Sequence, residues 1–207
     1  VANGRVQIAI DKSLFNHNNK NDLIQEHTLI LGWNDIAPRI ITELDNYVKE
    51  GSKVLVVSND RAVDAAVAKV RGELVNQMIE FCEGDVSEKK TLLDINTRSF
   101  DHIIVLSNRE IDIQESDAKT LISLLHLRGI SESEGVQYSI VTEMLDMRNR
   151  ALGVVAKADD FVVSDNLVSL MLSQLSENRE LKKVYDVLFQ AEGSEIYLKP
   201  VSRYVKT

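Results

Sequence analysis

The chain is predicted to be an α/β protein: a doubly wound parallel sheet of six strands, then a helical crossover and the start of a small C-terminal lobe. Two observations carry this expectation. From His27 onward, short β-branched runs alternate with stretches of helical period, the pattern of a parallel sheet covered on both faces. The first run, His27-Thr28-Leu29-Ile30-Leu31, passes directly into Gly32-Trp33-Asn34-Asp35 and an amphipathic segment. Strand, glycine turn and helix in that order are how nucleotide-binding α/β domains begin.

Residues 1–26 read as a linker or lead-in. An apolar patch, Val6 to Ile10, precedes Asn16-His17-Asn18-Asn19-Lys20-Asn21, a run that favours turns because Asn side chains compete for backbone hydrogen bonds. The sheet-forming lobe is expected over residues 27–165. Its first helix carries Ile36, Ile40, Ile41, Leu44, Tyr47 and Val48 at helical spacing, with Asp35 as the expected cap, Pro38 in the first turn and Gly51 beyond the end. Lys53 to Ser58 is a continuous β-branched run suited to a strand buried on both faces. Asp60 is placed to cap a second helix with Val63, Ala66, Val67 and Val70 on one side. A third strand is expected over Val75 to Cys82, ended by Glu83-Gly84-Asp85, and Ser87 is the expected cap of a short helix through Leu92, Leu93 and Ile95.

His102 to Leu106 is the fourth strand. In the helix after it, Ala118, Leu121, Ile122 and Leu125 are expected to line the buried face, while Glu115 and Asp117 complement the positive end of the helix dipole. A fifth strand over Val136 to Thr142, a helix near Met144 to Leu152 and a sixth strand over Phe161 to Ser164 complete two mononucleotide-binding halves, a Rossmann-like lobe. Residues 166–190 then read as a helical dimerisation crossover. Leu167, Leu170, Met171 and Leu172 form one unusually apolar stretch, and Leu181, Val184, Tyr185, Leu188 and Phe189 a second stripe. Either a second copy or the chain's own lobe would cover them. Residues 191–207, with Glu195 to Pro200 as one further strand, would open the C-terminal lobe.

At 207 residues and 44% hydrophobic content, the chain is long enough for one substantial core and an appended element, and reads as soluble and globular. A net charge of −8 repels phosphate backbones, so nucleic acid is not an expected partner. Cys82, a lone cysteine, reads as a small buried residue. The beginning, Val-Ala-Asn-Gly-Arg, has neither an initiator methionine nor a signal-peptide core, and no apolar run approaches the length of a membrane span. A piece cut from something longer is expected.

Ligands of doubly wound sheets bind outside the carboxyl ends of the strands, where strand order reverses. Those ends nominate Gly32, Trp33, Asn34 and Asp35, then Ser58, Asn59 and Asp60, then Glu83, Gly84 and Asp85, and finally Ser107, Asn108 and Arg109. A dinucleotide diphosphate needs the G-x-G-x-x-G approach. Counted from Gly32, the second and third positions hold Asn34 and Ala37, and Asn34 puts a side chain where phosphate would lie. NAD in the usual mode is therefore disfavoured. Asp60 serves either as a helix cap or as a ribose ligand; Trp33 would stack on a ligand, pack against a neighbouring subunit or cover the core.

Asp60, Glu83 and Asp85 are candidate calcium ligands, with Asp159, Asp160 and Asp165 a weaker cluster. The histidines, His17, His27, His102 and His126, have neither zinc-ligand spacing nor a cysteine companion. No nucleophile elbow or P-loop occurs, so no catalytic residue is assigned.

Several stretches together resemble the cytosolic regulatory domains of the CASTOR/POLLUX ion channels, a branch of the proteins with domains that regulate potassium conductance (RCK). They are His27 to Trp33; Asp117-Ala118 with Leu121, Leu124 and Leu125; Glu143 to Asp146 with Arg148 and Arg150; Asp160 to Ser164 with Leu167-Val168-Ser169; and Glu192 to Tyr197. The resemblance implies a non-enzymatic, calcium-responsive module on the cytoplasmic side of a potassium- or calcium-conducting channel, pairing with copies of itself into a gating ring. It implies that Gly32 to Asp35, Asp60, Gly84, Asp85 and Ser107 line the ligand cleft, that Leu167 to Leu172 and Leu181 to Phe189 clasp a partner copy, and that pore helices lie upstream. Two other readings stay open: a soluble nucleotide- or metal-sensing regulator, and an NAD-dependent oxidoreductase.

Overall fold

Six parallel strands, in the spatial order β3-β2-β1-β4-β5-β6, make the sheet. They are β1 (His27–Leu31), β2 (Ser52–Ser58), β3 (Gln77–Glu83), β4 (His102–Val105), β5 (Ser139–Met144) and β6 (Asp160–Val163). The computed structural model describes residues 23–149 and 160–188. Leu23–Ser173 forms one compact unit, and residues from Gln174 belong to a second. Strand order reverses between β1 and β4, the doubly wound arrangement of a Rossmann-like sheet.

Alternation along β1 builds both halves of the core. Leu29 and Leu31 join Val57, Ile103 and Val105 on one face, under α3 (Lys89–Asp94) and α4 (Ile113–Glu134), which supply Leu92, Leu124, Leu127 and Ile130. Ile30 joins Val54, Val56 and Ile79 on the other face, under α1 (Ala37–Leu44) and α2 (Ala62–Arg71), which supply Ile41, Val63, Val67 and Val70. Period-2 patterning therefore sends neighbouring residues of a single strand to opposite layers.

Several expected boundaries move, each for a local reason. α1 ends at Leu44 and not near Gly51, because the buried Asp45 carboxylate leaves the helix to accept the amides of Val75, Asn76 and Gln77 at 2.8, 2.9 and 2.9 Å. The same bonds delay β3 to Gln77, leaving Val75 outside the strand and exposed. Asp35 does not cap α1; the Asn34 side chain accepts the Ile36 amide instead. Nor does Ser87 cap α3, whose first flanking residue is Glu88; Ser87 donates to Asp85. Cys82 is half-buried against the core, not enclosed by it.

The largest departure concerns α4. It starts at Ile113, with Asp112 accepting the amides of Gln114 and Glu115. Its buried residues are Ser116, Asp117, Thr120, Ser123, Leu124, Leu127 and Ile130, whereas Ala118, Ile122 and Leu125 face outward and Leu121 is half-buried. Asp117 is fully buried and does not serve the dipole; it accepts the amides of Leu145 and Asp146 at 2.9 and 3.0 Å and the Asn149 side-chain amide at 2.8 Å. That grip explains why β5 runs on to Met144 and is followed by a single 3-10 turn, Met147–Asn149, where a helix was expected.

α5 (Ser164–Glu177) follows β6 directly, and α6 (Leu181–Leu188) follows it. The lead-in patch Val6 to Ile10, residues 150–159 with Arg150, Phe189, and the expected terminal strand Glu195 to Pro200 lie outside the described residues, as do the side chains of Asp160 and Asp165. Among the described residues, no helix is long and apolar enough to cross a membrane.

Candidate functional site

A cleft of about 730 Å³ opens at the carboxyl ends of the strands, around the point where strand order reverses. Its floor is the β1–α1 turn. Gly32 has φ +90°, and a Cβ there would lie 2.5 Å from the Leu106 carbonyl oxygen, so only glycine lets the turn pass this close to the end of β4. Trp33, half-buried, both lines the cleft and packs on the α1–α2 core layer.

Of the residues the sequence nominates, Gly32, Trp33, Asn34, Asp35, Ser58, Asn59, Asp60, Asp85, Asn108 and Arg109 line the cleft. Gly84 and Ser107 stand behind it. The Gly84 amide donates to the Ser58 carbonyl at 3.0 Å. Ser107 is fully buried, its hydroxyl donating to the Glu143 carbonyl at 2.9 Å and its amide to the Glu143 carboxylate at 3.2 Å.

Beneath the mouth runs one polar network. Asn34, 7% exposed, donates through Nδ2 to Glu143 Oε2 at 2.8 Å and to the Ser107 carbonyl at 2.9 Å, while its Oδ1 accepts the Ile36 amide at 3.2 Å. Arg109 also donates to the buried Glu143 carboxylate and lies 3.3 Å from Asp35 on the α1 side. A buried carboxylate persists only when charge and hydrogen bonds meet it, and here Asn34, Ser107 and Arg109 supply both.

The metal candidates are engaged separately. Asp60 accepts the Ala62 amide at 2.8 Å from one residue before Arg61, which holds the cap position of α2 where Asp60 was expected, and Asp85 accepts the hydroxyl and amide of Ser87. Both Glu83 oxygens accept from Arg61 Nε, at 2.8 and 2.9 Å, a bond that raises the Arg61 pKa. Among the described residues, no three His, Cys, Asp or Glu side chains converge in a way that would hold a metal ion.

Sequence reasoning missed the α4 wall. Ser116, Lys119, Thr120 and Ser123 line the cleft at i, i+3, i+4 and i+7, a polar stripe whose helical period is legible in the residues themselves. Lys119 is held protonated by its hydrogen bond to Glu115, which raises its pKa. Ser123 donates to the Val86 carbonyl at 2.9 Å. Ser116 is buried, and its hydroxyl has no hydrogen-bond partner among the described residues. In all, Asp35, Asp60, Asp85 and Glu110 face Arg109 and Lys119 around the cleft.

Known proteins are similar along most of this length. Ion channel DMI1 of Medicago truncatula is 26% identical over 216 residues, covering 87% of this chain and 24% of the channel. Ion channel CASTOR of Lotus japonicus is 25% identical over 220 residues, again 87% of this chain and 25% of the channel. The chain thus spans about a quarter of these relatives, and the resemblance to the CASTOR/POLLUX channels read from its motifs holds over 87% of it.

Among solved structures, the TrkA-N domain of inner membrane protein ybaL from Escherichia coli superposes with a TM-score of 0.56 at 10% identity, covering 73% of this chain and 96% of that one. A GsuK channel bound to NAD gives 0.51 at 17%, covering 67% and 21%; at these identities the likeness is one of fold. The TrkA-N domain family matches residues 28–164, from the second residue of β1 to the residue after β6, and the chain belongs to that family.

Proposed function

We propose that this chain is the ligand-sensing regulatory lobe of a cation channel of the CASTOR/POLLUX kind, on the cytoplasmic side of its membrane. The observation that carries the reading is the alignment with ion channels over 87% of the chain. The cleft supplies the sensor. A ligand that stabilises one arrangement of the β1, β2 and β4 ends over another shifts a conformational equilibrium by its differential affinity, with no bond made or broken.

Transmission would run through a second copy. On α5, Leu167, Val168, Leu170 and Leu172 are exposed, Leu170 at 53% and Leu172 at 63%. Four large apolar side chains on one surface helix are the mark of an interaction surface. Two such lobes clasped through α5 and α6 would be the unit of a gating ring, with pore helices belonging to the rest of a longer protein. Calcium is assigned no site, because Asp60, Glu83 and Asp85 do not converge.

Sedimentation velocity of the chain tests the pairing. A dimer or larger species is expected at micromolar concentration, and the double substitution Leu170→Asp, Leu172→Asp is expected to give a folded monomer. A native monomer that the double variant leaves unchanged would sink this reading.

A further inference from the structure

The fold implies a dinucleotide whose diphosphate rests on the free amides at the start of α1. Here two of the amides entering α1 are already taken. The Ile36 amide donates to Asn34 Oδ1 at 3.2 Å, the Ala37 amide to the Asn34 carbonyl at 3.2 Å, and the Gly32 amide to the Val57 carbonyl at 2.9 Å. Pro38, the next position, has no amide to give. The Asn34 side chain cannot swing aside without cost: doing so would strip Glu143 and Ser107 of a donor and Ile36 of an acceptor, in a site where Asn34 is 7% exposed. Asp35 adds a negative charge beside the same turn, and acids outnumber cations around the cleft.

We propose that Asn34 is a built-in occupant of the diphosphate seat, so that the cleft selects an uncharged, hydroxyl-bearing ligand and rejects dinucleotides. This rests on the cleft being the sensing site. Asp60 and Asp85 each keep a second carboxylate oxygen for ligand hydroxyls at the β2 and β3 ends, and the unpartnered Ser116 hydroxyl offers a donor and acceptors on the α4 wall. Glu143 and Ser107 act through Asn34, as the groups that hold it in place.

Titration calorimetry of the full 207-residue chain with adenosine, ADP and NAD, without added metal, tests the proposal. The native chain is expected to bind adenosine at least tenfold more tightly than ADP or NAD. Asn34→Gly recreates the spacing Gly32-x-Gly-x-x-Ala37; it is expected to tighten ADP binding at least tenfold relative to adenosine. Native binding of ADP or NAD tighter than that of adenosine, or an unchanged preference in Asn34→Gly, would overturn it. If the native chain binds none of the three, the choice of a hydroxyl-bearing ligand falls with the nucleoside arm. A gain of ADP binding in Asn34→Gly then still supports the filled seat, and no gain refutes it. Should Asn34→Gly lose its circular dichroism signal, Asp35→Asn leaves the buried network intact and is expected to tighten ADP binding about threefold; no change there counts against the proposal.

Discussion

The helices that follow the two central strands meet the cleft on opposite terms. α1 buries an apolar face through Ala37 and Ile41 and is preceded by Asn34, whose side chain accepts the amide of Ile36 just ahead of the first turn. α4 is buried along a face that is polar in its first half, Ser116, Asp117, Thr120 and Ser123, and apolar only in its second, Leu124, Leu127 and Ile130. A helix face can be buried because it is apolar, or because polar groups on it, here Asp117 and Ser123, have partners waiting. Period in the apolar residues finds the first kind of face and misplaces the second. Ala118, Ile122 and Leu125 keep helical spacing with one another, yet all three are exposed.

The sharpest way to break this contrast is at Asp117. Replacing it with Ala removes the acceptor of two amides and one side-chain donor in a fully buried place. Unfolding in urea should show a loss of about 4 kcal/mol, the scale of orphaning several buried groups at once. A loss below about 1 kcal/mol would mean that the polar half of α4 is not anchored as described.

Core truncations sharpen the comparison with a smaller effect. Ile41→Ala on α1 and Leu124→Ala on α4, both essentially solvent-free, should each cost about 3 kcal/mol in the same assay. Leu125→Ala, next in sequence and 52% exposed, should cost less than about 0.5 kcal/mol. Equal losses at Leu124 and Leu125 would return the buried face to the one read from apolar spacing.

The smallest effect lies in the turn that Asp117 holds. Asp146 accepts from the Arg148 guanidinium and backbone amide and from Gln114, and the Arg148 hydrogen bonds, opposed by partial burial, bring its pKa down to about 2. A carboxylate whose folded pKa is depressed contributes stability that is complete above its unfolded pKa, near 4, and is lost as pH falls toward about 2. An NMR titration of the Asp146 carboxyl carbon should give a midpoint well below the usual carboxylate range in the native chain. In Arg148→Ala the midpoint should rise toward that range.

Much of the fold was legible because its inner strands, β1, β2 and β4, are largely apolar on both faces. Five of the six expected strands overlap the observed ones closely, and the fifth is displaced toward Met144 because Asp117 reaches across from α4 to hold the residues beyond it. The β1–α1 turn was legible for the same local reason: a glycine at φ +90° against the Leu106 carbonyl admits no other residue. In the cleft, the strand-end residues Gly32 to Asp35, Ser58, Asp60 and Asp85 were in reach of sequence reasoning because doubly wound sheets place ligands there. Ser116, Lys119, Thr120 and Ser123 were not, because nothing local to a polar helical stripe says whether it faces water or a cavity.

Asn34 marks the boundary between the two kinds of knowledge. Its departure from the glycine pattern was visible at once, as was the parallel sheet, since both follow from the identity of a residue and its near neighbours. That its side chain turns inward and bonds the ends of β4 and β5 depends on Ser107 and Glu143, 73 and 109 residues further along. Tertiary structure decided which polar groups meet, because a buried hydrogen bond is a property of two distant segments brought together, and neither carries a mark of the other.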